Sequence, residues 1–403
     1  MSITSNTNPN VIMVSGPVNV VRLEGNIHGI NKVIYVFMDY HMGVKEQTQC
    51  ANIFSEDIQK YFANSFRKLI NANKQIYDFF LEIYPSELAS TKQQKTGALA
   101  EPKEQYIEEV VKFFRKIFKY DPKQNKVSIN ELFKNLRLHY LDIRDYYKHN
   151  IYQQTKEMKN IAQEFMSTNN IQPNKLDRII YLLQVMKHHI ELVINILSAD
   201  ETANKTSSPK IIKHRSRNVD ITALEYLANK IKSLYKYDDI KVIMNKLLDK
   251  NLANFNSVIK NIDNTIKRFD QYADIIIKND PSSHTIRKMI RDIVNTVETI
   301  VYDQFVEYFA RFTDIYFLRR FLDKDYITNA ITYTGARHSN TYIDTLVKSF
   351  GFKITHAAYS KIADMDKLTN KIKKTSLTEI QELMLPPDIQ QCSDMTNFPA
   401  NFI

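Results

Sequence analysis

The 403-residue chain has no tryptophan, only seven glycines and only two cysteines. Cys50 and Cys392 are too few for a disulfide scaffold or a cysteine-rich zinc site, and a reducing, cytosolic-type compartment is the simplest expectation. No run of about 18 apolar residues occurs. The most apolar stretch, Ile179 to Leu197, is broken by Lys187, His188 and His189, so no membrane span is expected. The segment Met1-Ser2-Ile3-Thr4-Ser5-Asn6 lacks the charged-then-apolar order of a signal peptide. Phosphate-cradling loops are nearly excluded by the scarcity of glycine. Neither GxxxxGKS/T nor GxGxxG is present, and HExxH and GxSxG are missing too. These absences count against P-loop NTPases, Rossmann dehydrogenases, kinases and α/β-hydrolases.

What is present supports a folded protein. The hydrophobic fraction is 43%, enough for a core. Lys and Arg number 55 against 45 Asp and Glu, a moderate excess of +10. The glycines gather at the two ends: Gly16, Gly25, Gly29 and Gly43 near the start, Gly335 and Gly351 near the finish, with Gly97 alone between. Tight turns therefore concentrate at the ends. The side chains follow suit. Val18 to Glu24 alternates with period two, Gly25 to Gly29 signals a turn, and Lys32 to Met38 is a β-branched apolar run. Asn329 to Thr334 and Phe350 to Thr355 are further strand candidates.

Between the ends, helical periodicity runs from Ser55 to Tyr84, from Pro102 to about Tyr120, and from the capping box Ser128-Ile129-Asn130-Glu131 toward Met166. It continues over Lys175 to Leu197, Asp220 to Lys278 and Ser283 to Leu322, with later helix signals at Thr341 to Ser349 and Ser376 to Glu379. The fold expected is α/β (α+β): a small mixed sheet built from the N- and C-terminal segments, with a large helical insertion. The corresponding divisions are 1–54, with N-terminal strands; 55–325, helical; and 326–403, with C-terminal strands and a helix. The first and last form one α/β unit.

Two histidines stand where strands end. One closes Phe37-Met38-Asp39-Tyr40-His41, and the other belongs to Tyr333-Thr334-Gly335-Ala336-Arg337-His338. In open α/β sheets, ligands gather at strand C-termini. Gly335-Ala336-Arg337-His338, followed by Leu346 and Phe350-Gly351-Phe352, resembles the second GxxH motif of the TraB/Tiki group, which is related to ChaN-like haem-binding proteins and erythromycin-esterase-like hydrolases. Met38-Asp39-Tyr40-His41 matches the place of the group's first GxxH, with Met38 where the group has glycine. The resemblance covers about 25 residues at each end. It implies a bound divalent metal (Zn, Mn, Co or Fe) or haem, and metal-dependent hydrolysis, with His41 and His338 as ligands.

Asp39, sharing a strand face with His41, is the acidic candidate for a third metal ligand, and Glu24 on the neighbouring strand is a fourth candidate. Substrate-binding candidates are Arg337, Arg319 before the second histidine strand, and His139, Asp142 and Arg144 on an expected helix face. Ordinary roles compete with each: a helix cap or core hydrogen bond for the histidines, solvent-facing charges for the others. The basic run Lys210 to Arg217 is a possible nucleic-acid contact, more simply a solvated loop.

Lys, Asn, Ile and Tyr are abundant, as in A/T-rich genomes, and the composition resembles proteins of large DNA viruses and of A/T-rich protists. A cytoplasmic setting is expected, in the host cytoplasm or the virion if the source is a virus. Two functional classes follow: a metal- or haem-binding hydrolase-like protein of TraB/Tiki type, or a non-enzymatic viral structural or interaction protein on a degenerate scaffold. The sequence names neither a substrate nor an oligomeric state.

Overall fold

The computed structural model describes residues 11–44, 50–72, 75–82, 106–121, 126–128, 130–143, 148–198, 221–279 and 281–402. The chain opens with β1 (Met13–Ser15), β2 (Asn19–Ile27) and β3 (Ile30–Asp39), then a two-residue β4 (Glu56–Asp57) and α1 (Ile58–Ala72). Next come β5 (Tyr77–Leu81), α2 (Tyr106–Ile117), the small hairpin β6 (Tyr120–Asp121) and β7 (Lys126–Val127), and β8 (Leu136–Tyr140). A helical stretch follows: α3 (Lys148–Thr168), α4 (Pro173–Ser198), α5 (Ile221–Lys232), α6 (Asp238–Asn279), α7 (Ser283–Glu298) and α8 (Glu307–Asp323), with a π-helical segment, Thr299–Val306, joining the last two. The chain finishes with β9 (Asn329–Gly335), α9 (Ala336–Phe350), β10 (Lys353–Ala357), α10 (Met365–Ile372), α11 (Leu377–Met384) and β11 (Cys392–Asp394). The fold is mixed and predominantly helical, as expected.

Two compact units result. The first takes the described residues up to Asp142 and from Phe317 onward, and the second those from Ile143 to Tyr316. In the first unit, six strands form one sheet in the order β10-β2-β3-β9-β5-β8. β2 and β3 are an antiparallel hairpin turning through Gly29, which has φ +80°. β3, β9, β5 and β8 run parallel, with Val33 opposite Asn329 and Asp39 opposite Gly335. Strands nearly 300 residues apart in sequence are thus direct neighbours.

The structure corrects the expectation of helix at two places. Tyr77 to Leu81 is a strand buried on both faces, so its five buried side chains need no alternation. The helix expected to start at the Ser128 capping box is only a short turn: Asn130 Oδ1 accepts from the Leu132 N–H, and β8 follows. By contrast, the capping box Ser376–Glu379 forms fully at the start of α11.

One face of the sheet carries Tyr35, Phe37, Phe79, Ile331 and Tyr333 and is covered by α1, α2 and the C-terminal turn at Phe402. Phe62 lies at the centre of this aromatic core. On the other face, Phe80 packs edge-on against Phe317, and Phe317 meets Tyr342 of α9. Lys32 is buried there. Its ammonium donates to the carbonyls of Phe321, Lys324 and Ile327 and so caps the end of α8. Burial lowers its pKa to about 8, against the pull of Asp325, Asp78 and Asp323.

A separate three-stranded sheet, β11-β1-β4, brings Cys50 and Cys392 to a Cα separation of 5.1 Å, and they form a disulfide. The low cysteine count left room for one such bond, but the expectation of a reducing compartment had assigned it no place.

In the second unit α4 packs between α3 and α6, and α3 against α7. α4 is long and apolar enough to cross a membrane by length and composition, yet 44% of its apolar window is buried within the protein. Lys187 on α4 reaches Asp263 on α6 at 2.7 Å. His189, buried in the same helix, has its pKa lowered to about 4 by burial and by the neighbouring charge of His188. The unfolded chain, with an ordinary histidine pKa near 6.5, therefore binds the extra proton first as the pH falls. Stability should be full above about pH 6.5 and drop by about 3 kcal/mol by pH 4. Urea melts of wild type and His189→Leu across that range test this, and parallel acid slopes in the two proteins would refute it.

Candidate functional site

Four parallel strands deliver their C-termini to one edge. Asp39 lies opposite Gly335, Leu81 opposite Tyr333, and Leu81 opposite Tyr140. The residues that follow, His41, Glu82, His338 and Asp142, leave the sheet from that edge. This is the place where open α/β sheets assemble sites.

His41 makes the first turn in the left-handed region, at φ +56°, uncommon for a residue with a side chain. Asp39 holds it there. One carboxylate oxygen of Asp39 accepts from the His41 backbone N–H at 2.8 Å and lies 2.7 Å from ring Nδ1. The other accepts from the Tyr333 hydroxyl at 3.0 Å. With Nδ1 turned to Asp39, Nε2 is the ring nitrogen left to face Glu82.

That nitrogen is 3.8 Å from one oxygen of Glu82, and the other Glu82 oxygen is 3.1 Å from His338 Nε2. One buried carboxylate therefore meets both imidazoles. The Gly335 N–H donates to Glu82 at 2.7 Å and fixes its orientation. The His41 side chain is 38% exposed, whereas those of Glu82 and His338 are buried. Burial opposes a charge on His41, but the hydrogen bond to Asp39 and the charges of Glu82 and Asp39 outweigh it, so its pKa is raised above the ordinary value. Tyr333 is held well above its ordinary pKa by burial and then by Asp39, so it remains a donor.

The glycine of the second motif has a physical reason different from a sharp turn. Gly335 has φ −53°, which any residue can adopt. A Cβ added there, however, would stand 2.8 Å from His41 Nε2 and 3.3 Å from a Glu82 oxygen. Its lack of a side chain makes room for the histidine of the other motif. For any divalent ion held between His41 and Glu82, Gly335→Ala should therefore weaken binding at least tenfold, by analogy with outer-shell losses of about 10–100-fold, while leaving the melting temperature within a few degrees of wild type. Calorimetric titration checks this, and unchanged affinity would show that His41 has no part in binding. Met38, where the first motif lacks its glycine, is fully buried in β3.

The other candidates are placed as follows. Glu24 pairs with Arg22 and lies opposite Val33, six residues or roughly 20 Å along β3 from Asp39. It is not at the site. Arg337 is exposed in the first turn of α9, one residue before His338. Arg319, weighed as a solvent-facing charge, is instead buried in α8. His139 lies on β8 rather than on a helix, so its expected helical spacing to Asp142 does not exist. Its Nε2 is 2.6 Å from Asp78, which also takes two hydrogen bonds from Arg137, and its Nδ1 is 3.3 Å from Arg320. Burial lowers the His139 pKa, with Arg320 adding to it and Asp78 opposing. This network braces β5, β8 and α8 on the sheet face. Asp142 is buried just beyond β8. Arg144 and the basic run 210–217 lie outside the described residues.

Sequence reasoning missed Glu82, because the strand that delivers it was read as helix. The signal available was the aromatic run Tyr77 to Leu81, ending in an acid. Among the described residues, no group of three or more His, Cys, Asp or Glu side chains stands as a ready-made metal site. His41, Glu82 and His338 are the set that the two histidine motifs and β5 bring together.

A family model described as a family of unknown function, DUF5847, matches residues 12–403. Uncharacterized protein R706 of Acanthamoeba polyphaga mimivirus is 55% identical over 411 residues, covering 98% of each chain. Two further uncharacterized proteins of that virus, R161 and R160, are 37% identical over 434 residues and 36% identical over 444 residues, covering 98% and 100% of each chain. No solved structure matches.

Proposed function

The chain belongs to the DUF5847 family and is a giant-virus protein; on that premise we propose that it is a divalent-metal-dependent, hydrolase-like protein with His41, His338 and Glu82 as its metal ligands. One observation carries the reading: the Glu82 carboxylate meets the Nε2 atoms of both histidines at the strand C-termini. Ligand atoms around one ion lie roughly 3–4 Å apart, the spacing found between Glu82 and each imidazole. Two imidazoles and a carboxylate suit Zn, Mn, Co or Fe. Haem suits the set less well, because the Glu82 carboxylate meeting both imidazoles adds an oxygen donor of the kind a divalent ion takes.

A bound ion would supply Lewis acidity and a water of lowered pKa. The chain's own residues supply the rest. Asp39 holds the His41 ring from behind through Nδ1, the usual second partner of a ligating histidine. Tyr333 and the His41 amide hold Asp39 in turn. The exposed edge of His41 leaves the site open to water, and Arg337, exposed one residue before His338, is the candidate for meeting an anionic substrate group. The finer TraB/Tiki kinship draws on the same two histidines arriving from neighbouring parallel strands.

A second reading, a non-enzymatic structural or interaction protein, draws on Glu82 already serving as acceptor for the N-terminal amide of α9. Elemental analysis of the purified chain, followed by Mn2+ and Zn2+ titration, separates the two. The expected result is one ion per chain, lost in His338→Ala with the fold retained. No retained metal and no binding at millimolar ion would leave the second reading standing.

A further inference from the structure

We propose that the Cys50–Cys392 disulfide is a redox-operated clamp on the loop that carries His41. The inference rests on the metal-site reading for its metal arm only.

Cys392 opens β11, and Cys50 lies in the segment that enters β4. Between them runs β1, whose Ser15 pairs with Cys392 on one side and with Asp57 on the other. These strands are two or three residues long, too short to hold a small sheet by pairing alone. The covalent bond joins the chain segments at its two outer edges.

From β4 a relay of contacts leads back to His41. The Asp57 carboxylate accepts from the Tyr106 hydroxyl. The Tyr106 N–H donates to the carbonyl of Met42 at 3.2 Å, and Met42 follows His41. Val18, just beyond β1, donates to the Met38 carbonyl at 2.8 Å and ties the same small sheet to the end of β3. His41 keeps its left-handed backbone only while its surroundings impose it. Releasing Cys50 loosens β4, then Tyr106, then the turn at His41.

Both cysteines are half-buried and within reach of a small dithiol. One dithiol sulfur, as thiolate, attacks a sulfur of the bond, forming a mixed disulfide and freeing one protein thiolate. The second dithiol sulfur then displaces the other cysteine. The dithiol gives up two electrons and ends as a disulfide, and its two protons end on Cys50 and Cys392.

The test is hydrogen–deuterium exchange on the full chain, followed by mass spectrometry of peptides spanning residues 36–44. The air-oxidised protein, the dithiothreitol-treated protein and the Cys50→Ser/Cys392→Ser variant are compared. Amides of the His41 turn should exchange at least tenfold faster in the reduced protein and in the variant, and the variant should ignore dithiothreitol. Equal exchange in all three overturns the clamp, as does finding two free thiols in the air-oxidised protein. Mn2+ titration supplies the second arm, since Mn2+ prefers oxygen and nitrogen donors to thiols. Affinity should fall at least tenfold on reduction, and equal affinity in both states overturns control of the site. Absence of Mn2+ binding in either state, with the exchange difference intact, supports the clamp and removes Mn2+ from the metal reading.

Discussion

Replacing Glu82 by glutamine should lower metal affinity at least a hundredfold while leaving the fold intact. The substitution keeps an oxygen to accept from the Gly335 N–H and keeps the side-chain volume, so the start of α9 stays satisfied. It removes the one negative charge that touches both His41 and His338. Two neutral imidazoles and an amide are a much poorer host for a divalent cation than two imidazoles and a carboxylate. Asp39 cannot substitute, because its two oxygens are already committed to His41 and Tyr333. Isothermal titration with Zn2+ and Mn2+, alongside circular dichroism, measures both sides of the claim. Affinity within threefold of wild type would remove Glu82 from the ligand set, and with it the shared-site reading.

Phe62→Ala should cost about 4 kcal/mol, within the range for a large aromatic removed from a packed core. Phe62 is fully buried on α1. Its ring meets Phe37 of β3 and Phe79 of β5, each at 4.9 Å, and stacks on Phe66 at 5.3 Å. Tyr333 of β9, Phe114 of α2 and Phe402 near the C-terminus complete the shell at 6.1 to 6.3 Å. Elements from five stretches of the chain converge on this one ring, so no single neighbour can move in to fill the void. Chemical denaturation followed by tyrosine fluorescence gives the cost. A loss below about 1 kcal/mol would mean that the aromatic cluster collapses around the cavity.

The sequence made the ends of the chain legible because their patterns have only one use. Lys32 to Met38 is a β-branched apolar run that suits a central parallel strand, and the structure puts it between β2 and β9. The two histidine motifs were found for the same reason: each follows such a strand. β5 and β8 were lost for separate physical reasons. Tyr77 to Leu81 is buried on both faces, so it has no period of its own and was absorbed into the amphipathic pattern of α1. In β8, Leu136 and Leu138 alternate with Arg137 and His139, a strand pattern outweighed by the expected helix face of His139, Asp142 and Arg144. Because β5 was missed, its terminal acid was missed, and Glu24 took its place by adjacency to the wrong end of β3. The role of Gly335 was equally invisible, since it depends on a side chain almost 300 residues away.

The strand order also fixes a timetable for synthesis. The β2–β3 hairpin and the β5–β8 pair are separate two-stranded pieces until β9 arrives between them. At about 5–20 residues per second, the roughly 300 residues from β3 to β9 occupy a ribosome for roughly 15–60 s. From the time each is made until β9 arrives, β3 and β5 present a bare, apolar edge, the kind that invites pairing with other nascent chains. The helices made meanwhile close their backbone hydrogen bonds within each segment and can form before the sheet does. The sheet, and with it any metal site, can close only as the last fifth of the chain emerges. A truncation before residue 329 should therefore yield a protein that aggregates through its strands, however well its helical part folds.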